Sequence, residues 1–436
     1  MSVYKWFLNK IILPTGNILL SGNYLGNIEE WRHLAKKSEN ELLEIQNKKL
    51  AEILQHAKKT VPFYKNISAT ELNEFPILTK EILRQNRDDL NSEDYDIKNL
   101  DKHYSSGSTG VQSVTYMTKD HTNYLRSLQT YWWELAGYEL GDHLLQFGIS
   151  QNRSALKKLK DFFYRCTYVK AFGLSPQDFE RLTNGLESKK NLVIAGYPSV
   201  INQLALYCKK SHKSLMVKSV ICFGDKLFDH YLKNIHSAFG ENIKVIDTYG
   251  CAEGLLMAVK TDENYYNIMS PHVKLEIVDD NGQLIKDGEM GNVLVTCLTN
   301  KAMPLIRYKL GDLAINLPKD QYPKTRQLNY PLLKKVIGRE TDVVKTNNGT
   351  TLNVHSFTGV LEYYQQIRQY KIIQTNLDEI TLQYVSEDSF DESQISEINS
   401  KLLELTQNSI AVSFKRVDEI PPYKSGKPQI IESYLK

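Results

Sequence analysis

The first strong pattern of apolar positions lies in LLEIQNKKLAEILQHAKKT. Its apolar residues recur at helical spacing and are Leu43, Leu50, Ile53, Leu54 and Ala57. This spacing gathers apolar side chains on one face, so it predicts a long amphipathic helix. The segment VPFYKN follows at once. Its proline, Pro62, disfavours helical backbone in the residue before it, so we expect the helix to end there.

The middle of the chain alternates between two kinds of pattern. HLLQFGIS, NLVIAGYP, VKSVICFGD and IKVIDTYG are short apolar runs typical of buried strands. SVINQLALYCKKSH and KLFDHYLKNIHSAFG have helical spacing, and Gly240 is placed to end the second helix. Strands that alternate with helices predict a parallel sheet with helices on its faces.

The pattern changes near Val273. VKLEIVDDNGQLI has an Asn-Gly pair between alternating runs, which predicts a hairpin, and GNVLVTCLT continues the alternation. TNNGTTLN predicts a second hairpin. The fold class is therefore α/β: a large N-terminal domain over 1–337, with mixed and parallel sheets, flanking helices and a β-barrel-like part, and a small α+β C-terminal domain over 338–436.

Length and composition agree with a globular protein of two or three domains. The chain has 436 residues, of which 41% are apolar and 24% charged. The net charge of +3 gives no electrostatic case for nucleic acid as a partner. The 5 cysteines are an odd number without a CxxC pair, which favours reduced thiols and a cytoplasmic location.

The N-terminal segment MSVYKWFLNKIILPTGNILL combines apolar residues with lysines. Asn9 and Lys10 interrupt the apolar run, and no small-residue cleavage site follows, which argues against a signal peptide. No apolar run in the chain reaches the length that a bilayer requires. A surface helix that touches a membrane is one interpretation, and we favour a helix packed on the main domain.

The run SSGSTG, from Ser105 to Gly110, is rich in hydroxyls and glycines. Short donors and exposed backbone N–H groups suit a phosphate, and glycines allow close approach. A solvated linker is an equal alternative on this run alone. Its spacing fits neither GxxxxGK[ST] nor GxGxxG, so a bound phosphate would belong to another class of protein.

Four further motifs follow this run in a fixed order. They are DTYGCAEG at 247–254, IRYKLGDL at 306–313, GRETDVVKTNNGT at 338–350 and PPYKSGKPQ at 421–429. The series resembles that of the adenylate-forming superfamily, which includes acyl-CoA synthetases, adenylation domains and luciferases. VPFYKN, AGYPSV and PLIRYKLGDL make it most similar to the phenylacetate–CoA ligase branch and its capsule-biosynthesis relatives.

The resemblance implies the adenylate-forming fold and a two-step reaction. ATP and a carboxylic acid would give an acyl-adenylate and pyrophosphate, and the acyl group would pass to coenzyme A or to an amine, such as an amino sugar of a surface polysaccharide. It implies Mg²⁺ as a cofactor and a monomer or homodimer. A protein that kept the fold as a scaffold and lost catalysis is the alternative.

The resemblance also assigns nucleotide-binding roles. Ser105, Ser106, Gly107, Ser108, Thr109 and Gly110 would hold the β- and γ-phosphates. Tyr249 and Gly250 would lie against adenine, as would the looser match Gly224 and Asp225, although Asp225 could equally cap the following helix. Glu253 would bind Mg²⁺, and Asp312 would accept hydrogen bonds from both ribose hydroxyls.

The remaining roles concern catalysis and the acid. Lys427 would bridge the attacking carboxylate and the α-phosphate, and Arg339 would contact ribose or phosphate near the pivot of a mobile C-terminal domain. His103, Tyr197, Pro198, Ser199 and Thr248 are candidates for the acyl site.

This sequence also departs from the family pattern. Gln112 and Ser113 stand where Pro and Lys are usual, Ala252 replaces a Thr, and the pivot falls on Thr341 or Asp342. Cys251, His272 and Cys297 lie where some relatives bind zinc, but their irregular spacing favours buried thiols and a surface His.

Overall fold

The computed structural model describes residues 3–435 except 20–21, 105–113, 149–152, 172–173, 252, 262–263, 340–342, 348–350, 354–356, 358–359, 362–363, 365, 407 and 422–429. The chain divides into two compact units, with the boundary between Lys335 and Val336. The short stretch Gly311–Ala314 is grouped with the second unit.

Eleven helices surround the sheet of the first unit among the described residues. They are α1 (Val3–Phe7), which continues through a π-helical turn Leu8–Ile12 into α2 (Leu13–Leu19), then α3 (Tyr24–Leu34), α4 (Glu39–Thr60), α5 (Pro62–Lys65), α6 (Lys80–Gln85), α7 (Lys119–Leu135), α8 (Ala155–Phe163), α9 (Pro176–Leu186), α10 (Pro198–Lys210) and α11 (Asp229–Phe239). Short 3₁₀ turns lie at Leu72–Glu74, Ile97–Asn99 and Lys319–Gln321.

Helix α4 confirms the predicted amphipathic helix, and Ile53, Leu54 and Ala57 are buried as predicted. Its Ser38 cap and Glu41 form a capping box, and the helix ends at Thr60, two residues before Pro62. Leu42 is buried, whereas Leu43 is 46% exposed. The prediction that Leu43 lies on the apolar face was therefore wrong. Leu42 and Leu43 are adjacent, and the sequence spacing alone does not show which of them faces the core.

One eleven-stranded sheet runs through the first unit, in the order β10-β11-β12-β13-β9-β8-β7-β6-β5-β3-β4. Its strands are β3 (His143–Gly148), β4 (Cys166–Lys170), β5 (Leu192–Gly196), β6 (Val217–Cys222), β7 (Lys244–Cys251), β8 (Leu255–Lys260), β9 (Tyr266–Ile268), β10 (Val273–Val278), β11 (Met290–Cys297), β12 (Tyr308–Asn316) and β13 (Leu332–Arg339). A separate antiparallel pair is formed by β1 (Asp101–Tyr104) and β2 (Val114–Met117).

The sheet has a parallel half and an antiparallel half. Strands β4, β3, β5, β6 and β7 pair in parallel, as the alternating sequence predicts. Strands β7 to β9 and the pair β10–β11 are antiparallel. The strands expected to form a barrel-like part thus continue the same sheet. The Asn281-Gly282 turn forms, but its second arm is reduced to a single bridge between Val278 and Leu284, and the partner of β10 is β11.

Alternating residues of the parallel strands build two cores. Val193 and Ala195 of β5 face a cluster with Trp31 and Trp132 from the N-terminal helices and α7. Ile194 faces the opposite cluster, formed with α9, α10 and α11. Because successive side chains of a strand point to opposite faces, both faces of β5 must be covered, which explains its uninterrupted apolar run.

The second unit has a small sheet of its own, in the order β18-β17-β16-β19. Its elements are β14 (Val343–Lys345), β15 (Thr351–Asn353), β16 (Ile367–Gln374), β17 (Glu379–Ser386), α12 (Gln394–Leu405), β18 (Ala411–Arg416) and β19 (Ile431–Ser433). Strands β14 and β15 form the predicted hairpin at TNNGTTLN. The α/β fold class with a small C-terminal part is confirmed.

The N-terminal segment packs on the first unit, as favoured above. Leu8 and Leu13 are buried in the cluster that contains Trp31. Lys5 lies 2.6 Å from Asp142, whose side chain is only 1% exposed and also lies 2.9 Å from Lys218 of β6. Burial alone would raise the pKa of Asp142, but the hydrogen bonds from both lysines outweigh it and hold this pKa below its ordinary value.

We expect Asp142→Asn to destabilise the first unit by about 1.5–3 kcal/mol at pH 7, because two charge-assisted hydrogen bonds weaken. A lowered carboxyl pKa stabilises the fold above the unfolded pKa, and this stabilisation disappears as pH falls through the folded value. The difference between variant and parent should therefore shrink below about pH 4. Urea unfolding followed by tryptophan fluorescence measures it, since Trp6, Trp31, Trp132 and Trp133 all belong to this unit.

Glu139→Gln is the matched control. Glu139 contacts the same two lysines, but its side chain is 63% exposed. Its loss should therefore change stability by less than about 1 kcal/mol. Equal effects of the two substitutions, or an Asp142 effect that persists undiminished at acid pH, would contradict the assignment.

Candidate active site

The carboxyl ends of three parallel strands lie side by side in the first unit. Gly196 of β5 is in register with Cys222 of β6, which is in register with Asp247 of β7. Whatever follows these positions must meet at one edge of the sheet. In parallel α/β sheets this edge is where ligands bind.

The residues after β5 and β6 contact each other directly. Ser199, in the first turn of α10, donates a hydrogen bond of 2.5 Å to Asp225. Tyr197 packs edge-on against Phe223, with ring centroids 5.8 Å apart. Two groups predicted separately, the acyl candidates 197–199 and the adenine turn 224–225, are thus brought together.

Gly224 has a reason to be glycine. Its φ is +89°, and a Cβ at this position would overlap the Tyr197 ring. Both the backbone conformation and the space exclude a side chain. The alternative role of Asp225 as a helix cap is wrong, because α11 begins at Asp229 with Phe228 as its cap residue.

Strand β7 contributes the third group of residues at this edge of the sheet. Thr248 donates a hydrogen bond of 2.9 Å to the carbonyl oxygen of Cys222. Tyr249 is partly exposed and Gly250 exposed, at a bulge against β8. The preceding Asp247 is buried and accepts a hydrogen bond from Tyr266. Burial raises the pKa of Asp247 to about 6.

A second set of contacts joins Glu253 to a distant motif. Glu253 is 6% exposed, and the hydroxyl of Tyr308 donates a hydrogen bond of 3.1 Å to its carboxylate. Gly254 has φ +85° and lies against Met117 of β2. The motifs DTYGCAEG and IRYKLGDL therefore meet, and the first of them lies against the strand that follows the glycine-hydroxyl run.

Strands β1 and β2 hold the two ends of that run together. Tyr104 pairs with Val114, and His103 pairs with Thr115. His103 is half-buried, and burial lowers its pKa. The residues Ser105 to Gly110, together with Gln112 and Ser113, lie outside the described residues. The described chain continues after this run with β2 and then α7.

The structure describes the other predicted site residues only in part. Asp312 is partly exposed on β12, in the stretch grouped with the second unit. Arg339 is the last residue of β13, and its side chain is outside the described residues. Ala252, Thr341, Asp342 and Lys427 are also outside them.

Arg307 is a structural residue that the motif did not reveal. Its guanidinium donates to the carbonyl oxygens of Asn73 (2.8 Å), Phe75 (3.1 Å) and Gly282 (2.7 Å), and Nε lies 3.3 Å from the Glu276 carboxylate. Its backbone has φ +48°. The buried Arg307 therefore holds three segments of the chain together beside the site. This role depends on contacts between residues far apart in the sequence, so the motif IRYKLGDL alone does not reveal it.

In the possible zinc region the predicted surface His is wrong, because His272 is fully buried, while Cys297 is buried and Cys251 partly buried. His272 Nδ1 lies 2.7 Å from the Thr299 hydroxyl, which also lies 3.8 Å from Cys297 Sγ. Within the described part of the chain, no group of three or more His, Cys, Asp or Glu residues is arranged to hold a metal ion. No described helix has the length and apolar character needed to cross a bilayer.

Comparison with known proteins identifies two regions. Residues 163–297 match the family model of AMP-binding enzymes, and residues 344–433 match the CapK C-terminal domain. The chain is 23% identical to Protein CapK of Staphylococcus aureus, over 99% of this chain and 97% of that protein.

Further relatives are ligases. A phenylacetate–coenzyme A ligase of Pseudomonas putida is 23% identical, over 73% of this chain and 75% of the relative. Indoleacetate–lysine synthetase of Pseudomonas savastanoi is 26% identical, over 44% of this chain and 49% of the relative. The crystal structure of a 2-hydroxyisobutyryl-CoA ligase in the postadenylation state shares the fold, with a TM-score of 0.73 and 16% identity, over 92% of this chain and 91% of that one.

We expect Gly224→Ala to destabilise the first unit more than Gly137→Ala. Both glycines have nearly the same φ, +89° and +88°, so the backbone penalty of about 1–2 kcal/mol is shared. At Gly137 the nearest atom to an added Cβ is Lys218 Cε at 3.9 Å, whereas at Gly224 the Tyr197 ring must move. Urea unfolding of both variants measures the difference, and equal losses would show that Tyr197 does not pack tightly on this turn.

Proposed function

Because the chain belongs to the adenylate-forming superfamily of ligases, we propose that it activates a carboxylic acid with ATP and transfers the acyl group to an acceptor. The observation that carries this proposal is the meeting of Tyr197, Ser199, Gly224, Asp225 and Thr248 at the carboxyl ends of β5, β6 and β7. This edge combines an aromatic wall, hydroxyls and a side-chain-free turn, which suit a planar base and a small acyl group.

In the first step an oxygen of the carboxylate attacks the α-phosphorus of ATP, and the bond to pyrophosphate breaks. Ser105 to Gly110 would hold the β- and γ-phosphates through hydroxyls and backbone N–H groups. Tyr249 and Gly250 would lie against adenine, and Asp312 would bind the ribose hydroxyls. Lys427 and Arg339 would offset the negative charge that builds on the phosphorus.

The donor set around Glu253 fits Mg²⁺. This ion usually takes one or two carboxylates and completes its shell with water and phosphate oxygens, so a single buried carboxylate suffices. When bound, Mg²⁺ would neutralise phosphate charge. The Tyr308 hydroxyl donates to one oxygen of the Glu253 carboxylate, and the ion would bind the other oxygen.

In the second step a nucleophile attacks the carbonyl carbon of the acyl-adenylate, and AMP leaves. The nucleophile is the thiol of coenzyme A or an amine, with an amino sugar of a surface polysaccharide as one candidate. The similarity to phenylacetate–coenzyme A ligase supports a thiol acceptor, and the similarity to indoleacetate–lysine synthetase supports an amine acceptor. The similarity to Protein CapK supports a role in the synthesis of a surface polysaccharide. We propose that residues from about 338 form a mobile domain that carries Lys427 and Arg339 and rotates between the steps.

Pyrophosphate release from ATP with a panel of acids tests the first step. Release that depends on one class of acid is expected, and its absence with every acid would favour a scaffold role, to which Gln112, Ala252 and Thr341 point. Adding coenzyme A or amines to a preformed adenylate then identifies the acceptor. Formation of a thioester and formation of an amide are distinguishable by mass spectrometry.

We expect Lys427→Ala to lower pyrophosphate release by about 10²–10³-fold, because a cation is lost where charge develops in the transition state. The affinity for ATP should change by less than about threefold, since the phosphates keep their other ligands. Lys424→Ala, in the same KSGK segment, is the matched control and should retain activity. Undiminished release in the Lys427 variant would remove this residue from the mechanism.

We expect Glu253→Gln to raise the Mg²⁺ concentration for half-maximal activity by about tenfold, because a neutral amide binds the ion less well than a carboxylate. Tyr308→Phe is the control, since it removes the hydrogen bond and keeps the carboxylate, so its magnesium titration should move much less. If the Glu253 variant titrates like the parent, Glu253 is a structural acid and the metal is held elsewhere.

A further inference from the structure

Helix α1 contacts the C-terminal end of helix α8 on the first unit. The hydroxyl of Tyr4 donates a hydrogen bond of 2.6 Å to the carbonyl oxygen of Phe163, and the Arg165 guanidinium lies over the Tyr4 ring at 3.8 Å. The exposed apolar side chains on either side of this junction form what we term the basic apolar patch. They are Val3 (86% exposed), Trp6 (50%), Phe7 (44%), Ile11 (42%), Leu156 (55%), Leu159 (52%) and Phe162 (72%).

Helix α8 is amphipathic, but its apolar face does not contribute to a core of the protein. Leu156, Leu159 and Phe162 recur every three residues and form one apolar face, with lysines on the other. A surface helix normally buries this face. Here no residue of α8 is buried, so an apolar stripe of a nine-residue helix faces solvent. Exposed apolar clusters of this kind mark surfaces that bind a partner.

Basic residues predominate in the two segments that carry the patch, and the acids beside them are paired, since Lys5 of α1 contacts Glu139 and Asp142. The first acidic residue of the chain is Glu29, and between His143 and Gln177 the sole acid is Asp161, which pairs with Arg153. Among the described residues, no carboxylate pairs with Lys10, Lys157, Lys158 or Lys160.

Lys160 also lies near a further cation. Burial, and then the charge of Arg126, lower the pKa of Lys160. Lys10, Lys157 and Lys158 are exposed, so these three cations are available for an external anionic surface.

We propose that the basic apolar patch docks the protein on an anionic lipid bilayer. An amphipathic helix with Leu and Phe on one face and Lys on the other lies in the membrane interface, and tryptophan prefers this depth. Two short apolar helices with flanking lysines supply both the apolar insertion and the attraction to anionic headgroups that stable, reversible binding requires.

A second copy of the chain is a poorer occupant. In a two-fold dimer the patch would face itself, so the unpaired lysines of both copies would approach one another. An anionic bilayer reverses the sign of that interaction. Docking on a bilayer does not depend on the proposed ligase activity, and the experiment below has no activity readout.

The test is flotation of the full chain with vesicles of phosphatidylglycerol and phosphatidylcholine in about equal parts, compared with phosphatidylcholine alone. Binding should require the anionic lipid and weaken as salt rises, since screening reduces the attraction. The double variants Leu159→Ser/Phe162→Ser and Lys157→Gln/Lys158→Gln should each reduce the bound fraction by about tenfold. Circular dichroism of each variant checks that it folds.

Helix α10 supplies matched controls on another surface. Leu206 is 45% exposed, and Lys209 and Lys210 are exposed near the same helix end. Leu206→Ser and Lys209→Gln/Lys210→Gln should bind vesicles like the parent chain.

A spectroscopic readout places the contact. Trp31, Trp132 and Trp133 are buried, so Trp6 is the tryptophan that a bilayer can reach. Its fluorescence should shift to shorter wavelength with anionic vesicles, and Trp6→Phe should abolish the shift while most binding persists.

Three results would overturn the proposal. The first is no flotation of the parent chain with anionic vesicles at low salt. The second is an equal loss of vesicle binding in the patch variants and the α10 variants. The third is a concentration-dependent dimer of a parent chain that does not bind vesicles, with dimerisation abolished in the patch variants. The last result would assign the patch to self-association.

Discussion

The candidate site depends on the register of three parallel strands. Because the parallel pairing of β5, β6 and β7 ends level at Gly196, Cys222 and Asp247, the residues after these positions are forced to the same edge of the sheet. Hydrogen bonds then fix their side chains. Ser199, after β5, donates to Asp225, after β6, and Thr248 of β7 donates to the carbonyl oxygen of Cys222 of β6. Both faces of this part of the sheet are covered by packed cores, so the edge is rigidly held.

The chemistry proposed for this edge also needs groups that are far apart in the chain. Glu253 and Tyr308 belong to different motifs and meet through a hydrogen bond. Arg307, next to Tyr308, fixes the same segment by binding three backbone carbonyls and Glu276. The motif IRYKLGDL thus contributes a structural cation and a positioning hydroxyl in addition to Asp312, the proposed ribose ligand.

The sequence predicts the parts of this fold that have local causes. Apolar runs alternating with helical spacing predict the parallel strands and their helices, and Gly240 ends α11 as expected. Adjacent leucines leave the phase of α4 undecided, and the packing of Leu42 settles it. The sequence does not predict one continuous sheet, because its two parts are joined by the pairing of β9 with β13, which lie far apart in the chain. Arg307 and the Asp247–Tyr266 pair escape prediction for the same reason.

The most direct measurement of the central claim is a crystal structure of the chain with a nonhydrolysable ATP analogue and a carboxylic acid. We predict adenine beside Gly224 and Tyr249, and the α-phosphate and acid at the carboxyl ends of β5 to β7. Nucleotide density at another surface of the protein, or an empty edge at saturating ligand, would contradict the account.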